Sequence, residues 1–165
     1  MSKTFIDLYD DYFDDVYRYV FVKTGNKWDA EDIVSEVFRK AYENWGHRSN
    51  PTNPKAWILA IARNTVIDFY RKRKSLPLGE EIDSYFTPIP FEDPFDESRE
   101  LECLKKSLSH LSKEDLEVTN LRYFAGLKFK EIALILKKTE ESLRVKSTRI
   151  TKKLGALVKK CLGEF

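Results

Sequence analysis

The stretch Asp29–Trp45, Asp-Ala-Glu-Asp-Ile-Val-Ser-Glu-Val-Phe-Arg-Lys-Ala-Tyr-Glu-Asn-Trp, decides the fold class. Ala30, Ile33, Val34, Val37, Phe38, Ala41, Tyr42 and Trp45 recur at intervals of three and four. That is an unbroken apolar stripe along one side of a helix. Asp29 stands where an N-cap belongs. Asp32, Ser35, Glu36 and Arg39 fall on the other side, toward water. Burying each large side chain is worth ~1.5–3 kcal/mol, so the stripe can hold a small helical bundle together.

The same period runs to the left of this stretch. Phe5, Leu8, Tyr9, Tyr12, Phe13, Val16 and Val20 form an apolar face, with Asp7, Asp10, Asp11, Asp14 and Asp15 opposite, until Gly25-Asn26 breaks the helix. To the right, Gly46–Asn53 reads as a loop. Asn53-Pro54 then starts another helix, with a capping amide before a proline at the first helical position. That helix, 54–74, opens apolar and ends on Arg71-Lys-Arg-Lys74, four cations that must leave the core. From 75 to 100 the periodicity stops. Pro77, Pro88, Pro90 and Pro94 stand there among acids, and no regular helix tolerates that density of proline.

Helical spacing returns with Leu101, Leu104, Leu108 and Leu111. Ser112 caps the next helix with Asp115 in a capping-box-like place, and Gly126 ends it. Phe129, Ile132, Ala133 and Leu136 mark a short helix. Lys137-Lys-Thr139 makes a tight turn, and Thr139 caps a last helix burying Leu143, Ile150, Leu154 and Leu157. Short helix, tight turn and longer helix spell a helix-turn-helix. The expected fold is all-α: two small helical bundles, 1–74 and 101–165, joined by a flexible acidic linker, 75–100.

Net charge is only +2, but it is unevenly spread: −4 over 1–43, +6 over 44–74, −8 over 75–102 and +8 over 103–165. Two basic segments on either side of an acidic one point to two places that meet phosphate, although Lys-rich helices also simply solvate well. In a helix-turn-helix the second helix enters the major groove. Glu140, Glu141, Ser142, Arg144 and Lys146 are then the candidate base readers, while Arg149, Lys152 and Lys153 are candidate phosphate contacts. The loop 46–53 and the helix after it place Trp45, His47, Arg48, Asn50 and Asn53 beside cations, a mixture suited to single-stranded bases. Trp45 and Trp57 also lie on apolar stripes and fit a core equally well, and Asn50 and Asn53 also fit turns and caps.

Cys103 and Cys161, far apart and outside any CxxC pair, read as reduced thiols in a cytoplasmic protein. His47 and His110 are isolated. No metal-ligand spacing, phosphate-cradling loop or nucleophile motif is present. No metal, cofactor or small-molecule substrate is expected, and the expected work is binding, not catalysis. No apolar run reaches the ~18 residues of a membrane span, and the N-terminal residues lack the pattern of a signal peptide.

Three runs resemble one family, the bacterial sigma-70 factors of RNA polymerase, in its small extracytoplasmic-function (ECF) group. Asp29–Tyr42 is similar to the region 2.2 helix, usually DAEDLVQETFLRAY. Trp57-Ile-Leu-Ala-Ile-Ala-Arg-Asn64, with Asp68 and Arg71-Lys-Arg-Lys74, resembles the WLxxIARNxxxDxxRK run of region 2.4. Leu121-Arg-Tyr-Phe-Ala-Gly-Leu-Lys-Phe-Lys-Glu-Ile-Ala133 resembles the LRYxEGLSYxEIA run of region 4. The resemblance implies a sigma factor that directs promoter-specific initiation, in an envelope or stress response. It implies that Asp29, Asp32, Ser35, Glu36 and Arg39 meet the clamp of the polymerase largest subunit, with the flap as a further contact. His47, Arg48, Asn50, Asn53, Arg63, Asn64, Arg71 and Lys72 would read and help melt the −10 element. Lys130, Glu141, Ser142, Arg144, Lys146, Arg149, Lys152 and Lys153 would serve the −35 element. Promoter DNA and an anti-sigma factor, membrane-linked in this group, are the other implied partners. The two promoter elements lie ~70 Å apart, within the roughly 90 Å reach of 26 linker residues.

Two departures stand out. The family has glycine in the region 4 turn where Lys137-Lys138 stands here, so the turn is expected to differ locally, because a left-handed conformation strains lysine. Lys128 replaces the usual cap of the short helix. Two other readings remain open at this point. One is a stand-alone helix-turn-helix regulator that binds DNA as a dimer without polymerase. The other is a pure interaction protein whose basic faces are only solvated.

Overall fold

The computed structural model describes residues 4–46, 51–74 and 98–163. The linker expectation over 75–97, and the site candidates His47, Arg48 and Asn50, lie outside the described residues. Within them the chain is helical, in the order α1 (Phe5–Thr24), α2 (Lys27–Asn44), α3 (Pro54–Lys74), α4 (Arg99–Ser109), α5 (Lys113–Thr119), α6 (Phe129–Leu136) and α7 (Glu140–Leu162).

Local chemistry sets the helix starts. Thr4 and Asp7 form a reciprocal capping box on α1, with Asp7 N–H donating to Thr4 Oγ1 at 3.2 Å and Thr4 N–H donating to Asp7 Oδ2 at 2.9 Å. Gly25 ends α1 at φ 62°, the left-handed conformation that favours glycine. The cap of α2 is Asn26, not Asp29: Asn26 Oδ1 accepts from the N–H groups of Trp28 (2.8 Å) and Asp29 (3.1 Å). Gly25-Asn26 thus closes one helix and opens the next, and Asp29, a turn later, is left to pair with Arg73 at 2.6 Å. Asn53 caps α3 through Ala56 N–H (3.1 Å), Ser112 caps α5 through Asp115 N–H (3.2 Å), and Thr139 caps α7 through Ser142 N–H (3.2 Å).

Helices α1–α3 share a core of Leu8, Val16, Val20, Ile33, Val37, Ile58, Leu59 and Ala62, all fully buried. Trp45 and Trp57 pack against it with ring centroids 6.0 Å apart, the core alternative of the two that their spacing allowed. Helices α4–α7 enclose Leu108, Val118, Leu121, Leu127, Ile132, Leu143 and Ile150. Between α5 and α6 the chain makes one π-type turn, Asn120–Phe124, closed by Ala125 N–H to Asn120 C=O at 2.9 Å. Gly126 follows at φ 72°.

The cysteine expectation is overturned. Cys103 on α4 and Cys161 on α7 form a disulfide, with Cα atoms 5.6 Å apart. Helix α4 packs along the end of α7, bringing together two residues 58 apart in sequence. Spacing alone carries no trace of that pairing.

The expected departure at the helix-turn-helix turn is also not found. Lys137 takes the left-handed place itself, at φ 56° and ψ 45°, and its N–H reaches Ala133 C=O. The short connection fixes the backbone, and lysine accepts the strain. Lys137→Gly is therefore expected to raise stability by about 1 kcal/mol, read as a higher urea midpoint at unchanged slope; a lower midpoint would contradict the strain.

The two helical groups are not held apart. Helix α1 packs on the π-type turn and α3 on α6. Lys55 Nζ donates to Gly126 C=O at 3.0 Å, and Asn53 Nδ2 to Glu131 Oε2 at 2.8 Å. A Cβ on Gly126 would stand 3.1 Å from Lys55 Nζ, so the glycine serves both the turn and the close approach.

Candidate nucleic-acid and polymerase interfaces

Helix α7 leads out of the turn with one side of its first three turns packed on the core. Leu143, Ser147 and Ile150 are buried, which leaves Glu141, Ser142, Arg144, Val145, Thr148, Arg149, Lys152 and Lys153 exposed. Arg144 is aimed by two contacts: its guanidinium donates to Glu140 at 2.6 Å and lies 5.4 Å from the centroid of the Phe129 ring. Arg122 covers the same ring at 4.4 Å. Phe129 is thus a platform for two guanidinium groups, which orients both at small entropic loss. Tyr123 closes this groove. Its hydroxyl is held by hydrogen bonds with Thr151 and Ser147, which lower its pKa below the ordinary phenol value. Neither Arg122 nor Tyr123 was among the sequence candidates, because only the packing of the π-type turn on α7 brings them to the groove.

Lys146 sits elsewhere than its neighbours. It turns back to α5, 2.9 Å from Glu114 and 3.7 Å from Asp115. The hydrogen bond and charge of Lys146 hold Glu114 below the usual carboxylate range, with Lys138 adding to it. Lys130 is exposed on α6.

Helix α2 carries the second candidate surface. Asp32, Ser35, Glu36 and Arg39 stand on one outward face at helical spacing. Arg39 bridges Glu36 and Glu43, and its hydrogen bond is the main cause that lowers the Glu36 pKa. Asp29 is drawn off this face toward Arg73. Trp28, 73% exposed at the start of α2, was not foreseen as part of any surface.

Helix α3 carries the remaining candidates. Asn64 and Lys72 are exposed and Arg71 is half-buried. Asn53 and Arg63 are turned toward the second helical group: Asn53 to Glu131, and Arg63 to Glu117 at 3.4 Å. Among the described residues no group of His, Cys, Asp and Glu is arranged to hold a metal ion. No described helix is long and apolar enough to cross a membrane.

Comparison with known proteins agrees with this arrangement. The family "Sigma-70 region 2" matches residues 8–76, the segment of α1–α3. RNA polymerase sigma factor SigV of Bacillus subtilis is 32% identical over 144 residues, covering 87% of this chain and 82% of that protein. ECF RNA polymerase sigma factor SigM of the same organism is 28% identical over 155 residues, covering 93% and 94%. ECF RNA polymerase sigma factor BldN of Streptomyces coelicolor is 32% identical over 155 residues, covering 92% of this chain but only 59% of its own length. In fold, the chain resembles the sigma factor RpoE of Bartonella quintana, solved with the anti-sigma factor NepR, at a TM-score of 0.72 and 22% identity over 94% of this chain and 96% of that one. It also resembles CnrH, solved with the cytosolic domain of CnrY, at a TM-score of 0.66 and 20% identity over 94% and 88%. The chain belongs to the RNA polymerase sigma factors, in their ECF group.

Proposed function

We propose that this sigma factor binds core RNA polymerase through α2 and places it on promoters through α3 and α7. The carrying observation is that one chain holds two unlike surfaces. One is the face of Asp32, Ser35, Glu36 and Arg39 on α2; the other is the row of Arg149, Lys152 and Lys153 on a helix-turn-helix. A stand-alone DNA-binding regulator needs only the second, and family membership favours the sigma factor over that reading. In the proposed division, residues 1–74 bind core polymerase and read the −10 element, and 101–165 read the −35 element. Asn64, Arg71 and Lys72 serve the first element. Arg144, with Glu141 and Ser142, selects bases at the second, while Arg149, Lys152, Lys153 and Lys130 hold phosphates. Lys146 contributes chiefly by tying α7 to α5. The chemistry of bond formation belongs to the polymerase, and the chain works in the cytoplasm, where core polymerase and promoters are. One relative in fold, the Bartonella quintana sigma factor, was solved with an anti-sigma factor, which supports a protein antagonist of that kind here. Co-elution with core polymerase tests the reading: a one-to-one complex supports it, and a free chain that binds duplex DNA as a dimer contradicts it.

A further inference from the structure

Helix α7 is anchored unevenly. Its first three turns bury Leu143, Ser147 and Ile150. Beyond Ile150 no residue of the helix is buried, and Leu154, Leu157, Val158, Cys161 and Leu162 are half-buried. That last stretch packs along α4, a helix of 11 residues, too short to keep its shape without packing. The Cys103–Cys161 bond ties the two together. Lys152 and Lys153, candidate phosphate contacts, stand at the beginning of this weakly anchored stretch.

The bond lies in a protein that works where core polymerase works. Glutathione and thioredoxin keep thiols reduced there, and a disulfide in that compartment is transient. The two sulfurs differ in access. Cys103 is 2% exposed, whereas Cys161 is half-buried in the last turn of α7, beside exposed Lys159 and Lys160. The chain has two cysteines in all, so each is the other's sole partner within the molecule.

We propose that Cys103 and Cys161 are a reversible oxidation site, a dithiol that hydrogen peroxide converts to the disulfide, which fixes the rear of α7 for DNA binding. The effect on DNA rests on the assignment of α7 to promoter DNA. The Cys161 thiolate, the more accessible, attacks a peroxide oxygen. The O–O bond breaks, Cys161 becomes a sulfenic acid, and the leaving hydroxide takes up the thiol proton as water. Cys103 then attacks Cys161 Sγ. The S–O bond breaks, and the departing hydroxide leaves with the Cys103 proton as a second water. Two thiols have lost two electrons and two protons, and one peroxide has become two waters. A dithiol reductant reverses the step through a mixed disulfide on Cys161, with Cys103 as the leaving thiolate. With the bond formed, α4 clamps the last turns of α7 and keeps Lys152 and Lys153 in line with Arg149. With it broken, packing alone holds the two helices, and the end of α7 frays.

The full-length chain is equilibrated with reduced thioredoxin, or treated with one equivalent of hydrogen peroxide, and its thiols are counted with a maleimide mass tag. Two tags are expected after thioredoxin and none after peroxide. No tags after thioredoxin make the bond a permanent staple and overturn the proposal, as do two tags after peroxide. The oxidised form should melt higher by on the order of 10 °C. Its affinity for a mixed-sequence duplex pool should be roughly ten-fold greater, as when reduction leaves the binding-competent state populated one time in ten. Cys161→Ser and Cys103→Ser should each resemble the reduced chain under both treatments. A redox response that survives in either folded variant overturns the assignment, and so does equal melting of the two wild-type forms. Lys152→Ala with Lys153→Ala, in the oxidised chain, reports on the DNA assignment separately. If melting follows oxidation but affinity does not, weak binding by this double variant shows that the bond does not control DNA, which overturns that part of the proposal. Wild-type binding by it places the fault in assigning α7 to DNA.

Discussion

Reversing Asp32 and Glu36 to arginine together is expected to lower the affinity for core polymerase about 100-fold or more. Like charges brought together across an interface cost several kcal/mol, and each 1.4 kcal/mol is a factor of ten. The substitutions leave the fold intact. Asp32 is exposed, and among the described residues Glu36 pairs with Arg39 on its own helix, which keeps Glu43 as a partner. Exposed pairs of this kind are worth ~0–1 kcal/mol. Calorimetry or surface capture of purified core polymerase reads the loss, and a thermal melt checks the fold. Wild-type affinity in a folded double variant would move the polymerase contact off α2. Reversing Asp29 is a poor substitute, because it breaks the bridge to Arg73 and perturbs how α2 packs on α3.

The second large effect is on DNA. Replacing Arg149, Lys152 and Lys153 together by alanine removes three exposed cations from one side of α7. Each phosphate contact contributes roughly 0.9 to the slope of log affinity against log salt. The triple variant should bind −35 duplex more weakly on every sequence and lose a slope of about 2–3. Arg144→Ala should behave differently. The Phe129 platform and Glu140 aim this guanidinium, so its loss should relax base choice, by ~1–3 kcal/mol of discrimination at one position, and leave the salt slope nearly unchanged. Equal effects of both changes on all sequences would mean that α7 reads no bases.

The parts of this arrangement that sequence made legible are the local ones. The stripe from Ala30 to Ala41, the caps at Asn53, Ser112 and Thr139, and the helix-turn-helix each depend on residues within a turn or two of one another. What sequence hid depends on distant chain meeting distant chain. Tyr19 fell outside the periodic face of α1, yet it is fully buried, because its partner Glu117 is 98 residues away. The same holds for Cys103 and Cys161, and for Lys146, which looks like a groove-facing cation until α5 is seen beside it. Lys137 shows the converse. Its propensity argued against a left-handed turn, but the short connection between α6 and α7 decides the backbone, and propensity yields to it.

This chain gives core polymerase its promoter choice. The direct measurement is transcription by purified core polymerase with and without the chain, on a pool of genomic promoter fragments, with the transcript starts mapped. Starts are expected at a discrete set of sites sharing two spaced elements, present only with the chain and lost in the Asp32→Arg, Glu36→Arg variant. Starts that do not depend on the chain, or none across the pool, would contradict it.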